Sequence, residues 1–181
     1  MLIERTKSCL LVVDIQERLL PAIDEGKRVI ENTAWLMQIA QELEVPLLVS
    51  EQYPKGLGHT VPALLELTPE GALVEKIHFS CAASPACQER LAAIDREHIV
   101  VTGIEAHVCV LQTAIALAAA GKQVFVVADA VSSRRARDAE LGLERMRAAG
   151  VHLVSREMVA FEWLHRAGTA QFREISRRFL R

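Results

Sequence analysis

The sequence predicts an α/β fold: three layers, with a parallel sheet between two layers of helices. Three observations lead there. Apolar runs such as "SCLLVVDI", "VPLLVSEQ", "HIVVTGI", "QVFVVADA" and "VHLVSREM" are nearly continuous instead of alternating, which suits strands covered on both faces. Segments with helical spacing separate these runs, so strand and helix alternate as in crossover units. Gly121 and Gly150 stand where two of those helices hand over to the next strand, placed to take the left-handed C-cap conformation.

In chain order, "GKRVIENTAWLMQIAQELE" sets apolar Val29, Ile30, Trp35, Leu36, Ile39 and Leu43 at helical spacing after the first run. The second run leads into "EQYPKGLGHTVPALLELTPEG", the least regular region, punctuated by proline and glycine. Such a loop either covers a pocket or is a plain surface excursion. After the short run "ALVEK", helices are expected over "PACQERLAAID", "CVLQTAIALAAAG" and "RDAELGLERMRAAG". At the end, "TAQFREISRRFLR" spaces Phe172, Ile175 and Phe179 on one helical face opposite arginines, the pattern of a docked amphipathic helix.

A chain of 181 residues is expected to form one domain over residues 1–181, long enough to bury a core without disulfides or metals. With 51% hydrophobic and 24% charged residues and a formal net charge of -2, it has no general attraction for nucleic acid or anionic membrane, so a small-molecule partner is the default. The start, "MLIERTKSCLLVVDIQ", carries Glu4, Arg5 and Lys7 before an apolar run too short to span a membrane, and has no signal-peptide cleavage pattern. A cytoplasmic location is expected. Cys9, Cys81, Cys87 and Cys109 match neither a zinc ribbon nor a C-x-x-C pair, and the histidines form no metal signature, so reduced thiols and no metal are expected. No G-x-G-x-x-G follows the first strand, where "VVDIQERLLP" stands instead with an acid that would repel a pyrophosphate. No nucleotide cofactor is expected.

In open parallel sheets, ligands bind at the carboxyl ends of the strands, so residues that close apolar runs are the informative ones. Asp14 closes "CLLVVD", Lys76 closes "ALVEK", and Cys109 follows "IVVTGI" at the start of the next helix. A thiol there gains from unsatisfied N–H groups and the positive end of the helix dipole, and a nearby lysine would lower its pKa further. A carboxylate could take the thiol proton and later return it to a leaving group. Each residue also has an ordinary reading: cysteine packs cores, aspartate caps turns, and lysine is usually solvated at an edge. His107 and His78 offer a rival Cys-His pairing. A residue two positions before Cys109 generally points elsewhere, which makes His107 structural or pocket-lining.

Taken together, "CLLVVDIQERL", "EQYPKGLG", "VEKIHFSC", "VTGIEAHVCVLQTAIALAAAGKQVFVVADAVSSR" and "GLERMRAAGVHLVSREMVAFEWL" resemble the isochorismatase-like cysteine hydrolases, in the family's order and over nearly the whole chain. The resemblance implies a Rossmann-like three-layer fold with a six-stranded parallel sheet and an Asp14-Lys76-Cys109 catalytic triad. It further implies a non-proline cis peptide between Ile104 and Glu105, and an oxyanion hole made by the backbone N–H groups of Val108 and Cys109. The implied reaction is thiolate attack on an amide-like carbonyl, giving a thioester that water hydrolyses, without a metal. Nicotinamidases of the superfamily carry a D-x-H metal motif after the second strand, which "SEQYPKGLGH" lacks, and true isochorismatases lack the nucleophilic cysteine. The "EQYPKGLG" stretch resembles the branch whose substrates are unassigned.

Gln16, Leu19, Tyr53, Phe79 and Glu105 are the expected substrate-binding residues, although Leu19 and Phe79 have the composition of core and Glu105 that of a structural hydrogen-bonder. The family's habit implies a homo-oligomer, with the alanine-rich helix after Cys109 and the carboxy-terminal segment as candidate interfaces. Two other readings use the same fold: a non-catalytic ligand-binding protein, and a redox sensor in which Cys109 forms a reversible sulfenate or disulfide.

Overall fold

β1, Ser8–Val13, is buried at every position. Because side chains alternate across a strand, Leu10 and Val12 enter one core while Cys9, Leu11 and Val13 enter the other. A run covered on both faces has no place for polar alternation, which is why it reads as continuous. The computed structural model describes residues 1–180.

β2 (Leu47–Gln52), β3 (Leu73–Lys76), β4 (His98–Ile104), β5 (Gln123–Ser132) and β6 (His152–Val154) complete a six-stranded sheet in the order β3-β2-β1-β4-β5-β6. Every pairing is parallel. The helices are α1 (Gly26–Glu42), α2 (Pro54–Leu57), α3 (Pro62–Leu65), α4 (Pro85–Ile94), α5 (Leu111–Ala119), α6 (Ala136–Ala148), α7 (Arg156–Leu164) and α8 (Ala170–Phe179). On one face α1, α7 and α8 bury Val29, Leu36, Trp163 and Ile175 against Leu10, Val12 and Val100. On the other, α4, α5 and α6 bury Leu91, Leu117 and Met146 against Leu11, Ile99 and Val101.

The strand order reverses between β1 and β4, and a doubly wound sheet opens a crevice at such a switch point. Gly103 sets the width of that crevice: at φ +126°, a Cβ built on it would lie 2.1 Å from the Val13 carbonyl oxygen. Only glycine lets β4 pass so close to the end of β1.

Several expectations change. The run "VHLVSREM" is extended only over His152–Val154, because the Ser155 hydroxyl accepts from the Met158 amide at 3.2 Å and starts α7. The irregular loop contains two one-turn helices, each opened by a proline, Pro54 and Pro62, whose fixed φ suits a first helical position. The helix expected from Cys109 becomes α-helical only at Leu111, after a π-helical turn over Ala106–Val110. In α8, Ile175 is buried and the Trp35 indole donates to the Phe179 carbonyl at 2.9 Å, so its apolar stripe is spent on α1. α5 likewise turns Leu111, Ala114 and Leu117 into the second core. Neither of the two expected interface segments therefore keeps its main apolar stripe free. Arg181, the last residue of the carboxy-terminal segment, lies outside the described residues. Among the described residues no helix is long and apolar enough to cross a membrane.

Candidate active site

Asp14 follows β1 in the left-handed region at φ +54°, which aspartate tolerates better than most side chains. This twist leaves its carboxylate at the carboxyl end of the sheet, fully buried. Ser50 of β2 donates its hydroxyl to Asp14 Oδ1 at 2.7 Å. Lys76, the last residue of the edge strand β3, reaches past β2 and places Nζ 2.6 Å from Asp14 Oδ2. That ammonium also donates to Gln52 Oε1 at 2.7 Å and to the carbonyls of His78 and Phe79 at 3.1 and 3.0 Å. An ammonium has three N–H bonds, and four acceptors surround it. Lys76 has no donor left for a ligand; it holds charge in place.

Cys109 arrives from the other side of the switch point. After Gly103 the Ile104–Glu105 peptide is cis, and the π-helical turn follows with Cys109 in its fourth position, 6% exposed. The Glu105 carbonyl accepts from the amides of Val108 at 3.0 Å and Val110 at 3.2 Å, leaving the Cys109 amide between them out of that pair. Of the two expected oxyanion donors, Val108 is thus already committed within the turn. The Glu105 carboxylate accepts from the amide and Nε of Arg134 at 3.1 and 3.0 Å, and His107 Nδ1 lies 2.8 Å from the Ser133 hydroxyl. These three contacts tie the turn to the segment after β5.

Burial pushes the Cys109 thiol up to about 12, and the Asp14 charge adds to it, against the pull of Lys76. The sequence argument pointed the other way, to an acidified thiol. Desolvation and a facing carboxylate outweigh the helix start and the lysine. Burial also raises Asp14, against Lys76 and Ser50, which favour the carboxylate. Burial alone would lower Lys76, but Asp14, Cys109 and Cys81 outweigh it and the group stays firmly protonated. The result is a protonated thiol facing a carboxylate that a buried ammonium holds.

The expected pocket residues separate. Tyr53, 55% exposed, borders a cavity of about 550 Å³ together with Lys76, His78, Ser84 and Pro85. Phe79 is exposed and contributes its carbonyl to Lys76. Leu19 packs partly buried against the first core. Gln16 is fully buried, donates to the carbonyls of Gln52 and Gly58 at 3.0 and 2.7 Å, and accepts from the Gln52 amide at 2.7 Å. Its amide braces the backbone of Gln52 and Gly58. Glu105 is likewise engaged with Arg134. A larger cavity of about 660 Å³, between the first residues and α7, carries none of these groups.

The isochorismatase domain profile matches residues 8–158. The chain belongs to the isochorismatase family. It is 38% identical over 171 residues to isochorismatase domain-containing protein 2 of Danio rerio, covering 94% of this chain and 85% of that protein. Isochorismatase family protein 1B of Dictyostelium discoideum is 35% identical over 93% of this chain and 84% of its own. Among solved structures, a Caenorhabditis elegans protein described as MAR1 ribonuclease superposes with a TM-score of 0.93 at 36% identity, covering 100% of this chain and 93% of that one. The six-stranded parallel sheet between helices is the fold of this family. In this isochorismatase-family chain, sequence reasoning missed Ser50, Gln52 and Arg134. Ser50 was within reach, because it follows the run "PLLV" as Asp14 follows "LLVV". Arg134, 29 positions from its partner Glu105, has no local signal.

Proposed function

We propose that this protein is a cysteine hydrolase of a small amide-like, carbon–nitrogen substrate, with Cys109 as nucleophile, Asp14 as proton shuttle and Lys76 as the charge that holds Asp14. The observation that supports the reading is the buried Lys76–Asp14 pair at 2.6 Å at the switch point of the sheet, with the turn after β4 bringing Cys109 near enough for both charges to act on its thiol. With the thiol near 12, roughly one molecule in 10⁵ carries a free thiolate at pH 7. Attack therefore couples to proton transfer: Cys109 Sγ bonds the carbonyl carbon as its proton passes to Asp14. The Cys109 amide supports the oxyanion. When the tetrahedral adduct collapses, the C–N bond breaks and the departing nitrogen takes the proton from Asp14, leaving a thioester. Water then adds, giving its proton to Asp14. The C–S bond breaks, the carboxylic acid leaves, and the thiol regains its proton. No step needs a metal.

The substrate is unassigned, so the test is a panel of small amides and ureas, with ammonia or amine release as the readout, on wild type and Cys109→Ala. Release that Cys109→Ala abolishes, with a substrate-derived acyl mass on the Cys109 peptide after acid quench, supports the reading. Hydrolysis that persists in Cys109→Ala overturns it. A ligand that binds without turnover favours the non-catalytic alternative, and a structured RNA in the same panel tests the activity named for the nematode relative. Tyr53, Ile77 and Phe79 are 55%, 75% and 54% exposed beside the site, an apolar patch that fits self-association. Escherichia coli YcaC, similar in fold with a TM-score of 0.87, is described as an octameric hydrolase of unknown specificity. We read this protein as a homo-oligomer in the cytoplasm, to be checked by sedimentation and fractionation.

A further inference from the structure

Gln52, a buried side chain outside the three proposed catalytic groups, has both ends of its amide committed. It ends β2 and stands in register with Lys76, the end of the neighbouring β3. Its Oε1 accepts from Lys76 Nζ at 2.7 Å, and its Nε2 donates to the Ile77 carbonyl at 2.9 Å. An ammonium can only donate and a carbonyl can only accept, so these two partners fix which end of the amide faces which. The Ile77 carbonyl opens the turn whose next two carbonyls, of His78 and Phe79, also accept from Lys76 Nζ. Gln52 is gripped in turn by Gln16, which accepts from the Gln52 amide at 2.7 Å and donates to the Gln52 carbonyl at 3.0 Å. Three of the four acceptors around the ammonium therefore trace back to Gln52, and the fourth is Asp14 Oδ2.

We propose that Gln52 is a positioning residue, which aims the Lys76 ammonium at Asp14 without bringing a charge of its own, and that Gln16 supports it through the backbone. The proposal rests on the Asp14-Lys76-Cys109 reading and adds the group that keeps its cation in place. A lysine head rides on a flexible four-carbon stem, and this stem starts at the sheet edge and has to cross β2 to reach Asp14. A neutral amide on β2 holds the head there and leaves its charge to Asp14. A carboxylate in the same place would divide the ammonium between two anions and press an oxygen against the Ile77 carbonyl. The titratable groups facing Lys76 are Asp14, Cys109 and Cys81, so its displacement reaches the thiol as well as the shuttle. Gln52 takes part in no bond that forms or breaks.

The test compares wild type with Gln52→Glu, Gln52→Met and Gln16→Met, each checked for a native fold by circular dichroism and a denaturation midpoint. Iodoacetamide alkylation of Cys109, followed from about pH 7 to 10, needs no substrate. Gln52→Glu keeps the size and the acceptor oxygen, and should slow alkylation about tenfold, the equivalent of one pKa unit at the thiol. Gln52→Met should slow it about threefold, the scale of one lost hydrogen bond, and Gln16→Met less, in the same direction. On a substrate from the amide panel, kcat should fall in the same order while KM stays, because Lys76 has no donor left to bind a ligand. Gln52→Glu protein whose Cys109 alkylation follows the wild-type pH profile overturns the proposal, even where Gln52→Met is too unstable to study. So does an effect confined to the denaturation midpoint, which is what a merely structural amide would give. Alkylation that shifts as expected while no amide is cleaved places the failure with the hydrolase reading and not with Gln52.

Discussion

Cys109 and Cys87 have similar addresses and opposite chemistry. Each sits at the start of a helical segment on the same face of the sheet, and Lys76 acts on both. Yet burial and the Asp14 charge push Cys109 up to about 12, whereas the hydrogen bond from Cys81 brings Cys87 down to about 7 despite burial. A helix start is therefore a weak predictor of thiol acidity. What separates the two is the balance between burial and the neighbouring groups: at Cys109 the Asp14 charge adds to burial, and at Cys87 its neighbours oppose it.

The largest expected effect comes from removing that carboxylate. Asp14→Asn should lower turnover on a proven amide by about 10²–10⁴, the usual worth of a positioned base. The same change should speed alkylation of Cys109 at pH 8, because a negative charge facing the thiol is gone. If turnover and alkylation fall together, Asp14 is not what keeps the thiol protonated, and the comparison loses its cause.

Next in size is the ion pair. With both partners buried and 2.6 Å apart, Lys76→Ala leaves Asp14 as a buried charge without its partner and should cost about 3–5 kcal/mol in a denaturant titration. Asp14→Asn combined with Lys76→Met should recover most of that loss, since two neutral side chains of similar volume need no desolvated charge. Failure to recover would mean that Lys76 stabilises through its carbonyl contacts instead.

Stability should also fall at alkaline pH. Cys109 and Cys9 titrate near 12 in the folded protein against an ordinary 9.0, so between these values the folded state binds more protons than the unfolded one. Stability then decreases as pH rises through that window, by up to about 1.4 kcal/mol per pH unit for each thiol. Denaturant midpoints at pH 8 and 10.5 measure the slope. Cys109→Ser, which does not titrate there, should make it shallower. An unchanged slope would place the Cys109 thiol near its ordinary acidity.

The smallest effect belongs to the other thiol. Ser84→Ala removes the α4 cap and should cost about 1 kcal/mol. It should also raise the alkylation midpoint of Cys87, whose acidity draws on the Ser84 hydroxyl. A midpoint that stays put would leave that acidity to Cys81 and Lys76.

Much of this was legible beforehand because the signals are local. Asp14, Lys76 and Cys109 each stand where an apolar run ends, and a doubly wound sheet brings such ends together. The same rule, applied to the second run, finds Ser50. The position of Gln16 beside Asp14 is visible in the chain, while its three bonds to the Gln52 and Gly58 backbone are not. The Ser155 cap was written in sequence but lay inside an apolar run that masked it.

The sequence by itself determined the alternation of strand and helix, the two-sided burial of β1 and β4, and which residues close the strands. These follow from side-chain type and period, which a linear reading contains. Tertiary structure alone decided the protonation of Cys109, the saturation of Lys76, the pairing of Glu105 with Arg134 and the contact of Cys81 with Ser50. Each depends on the distance between groups far apart in the chain and on how completely water is excluded around them, and both exist only once the two cores have closed over the sheet.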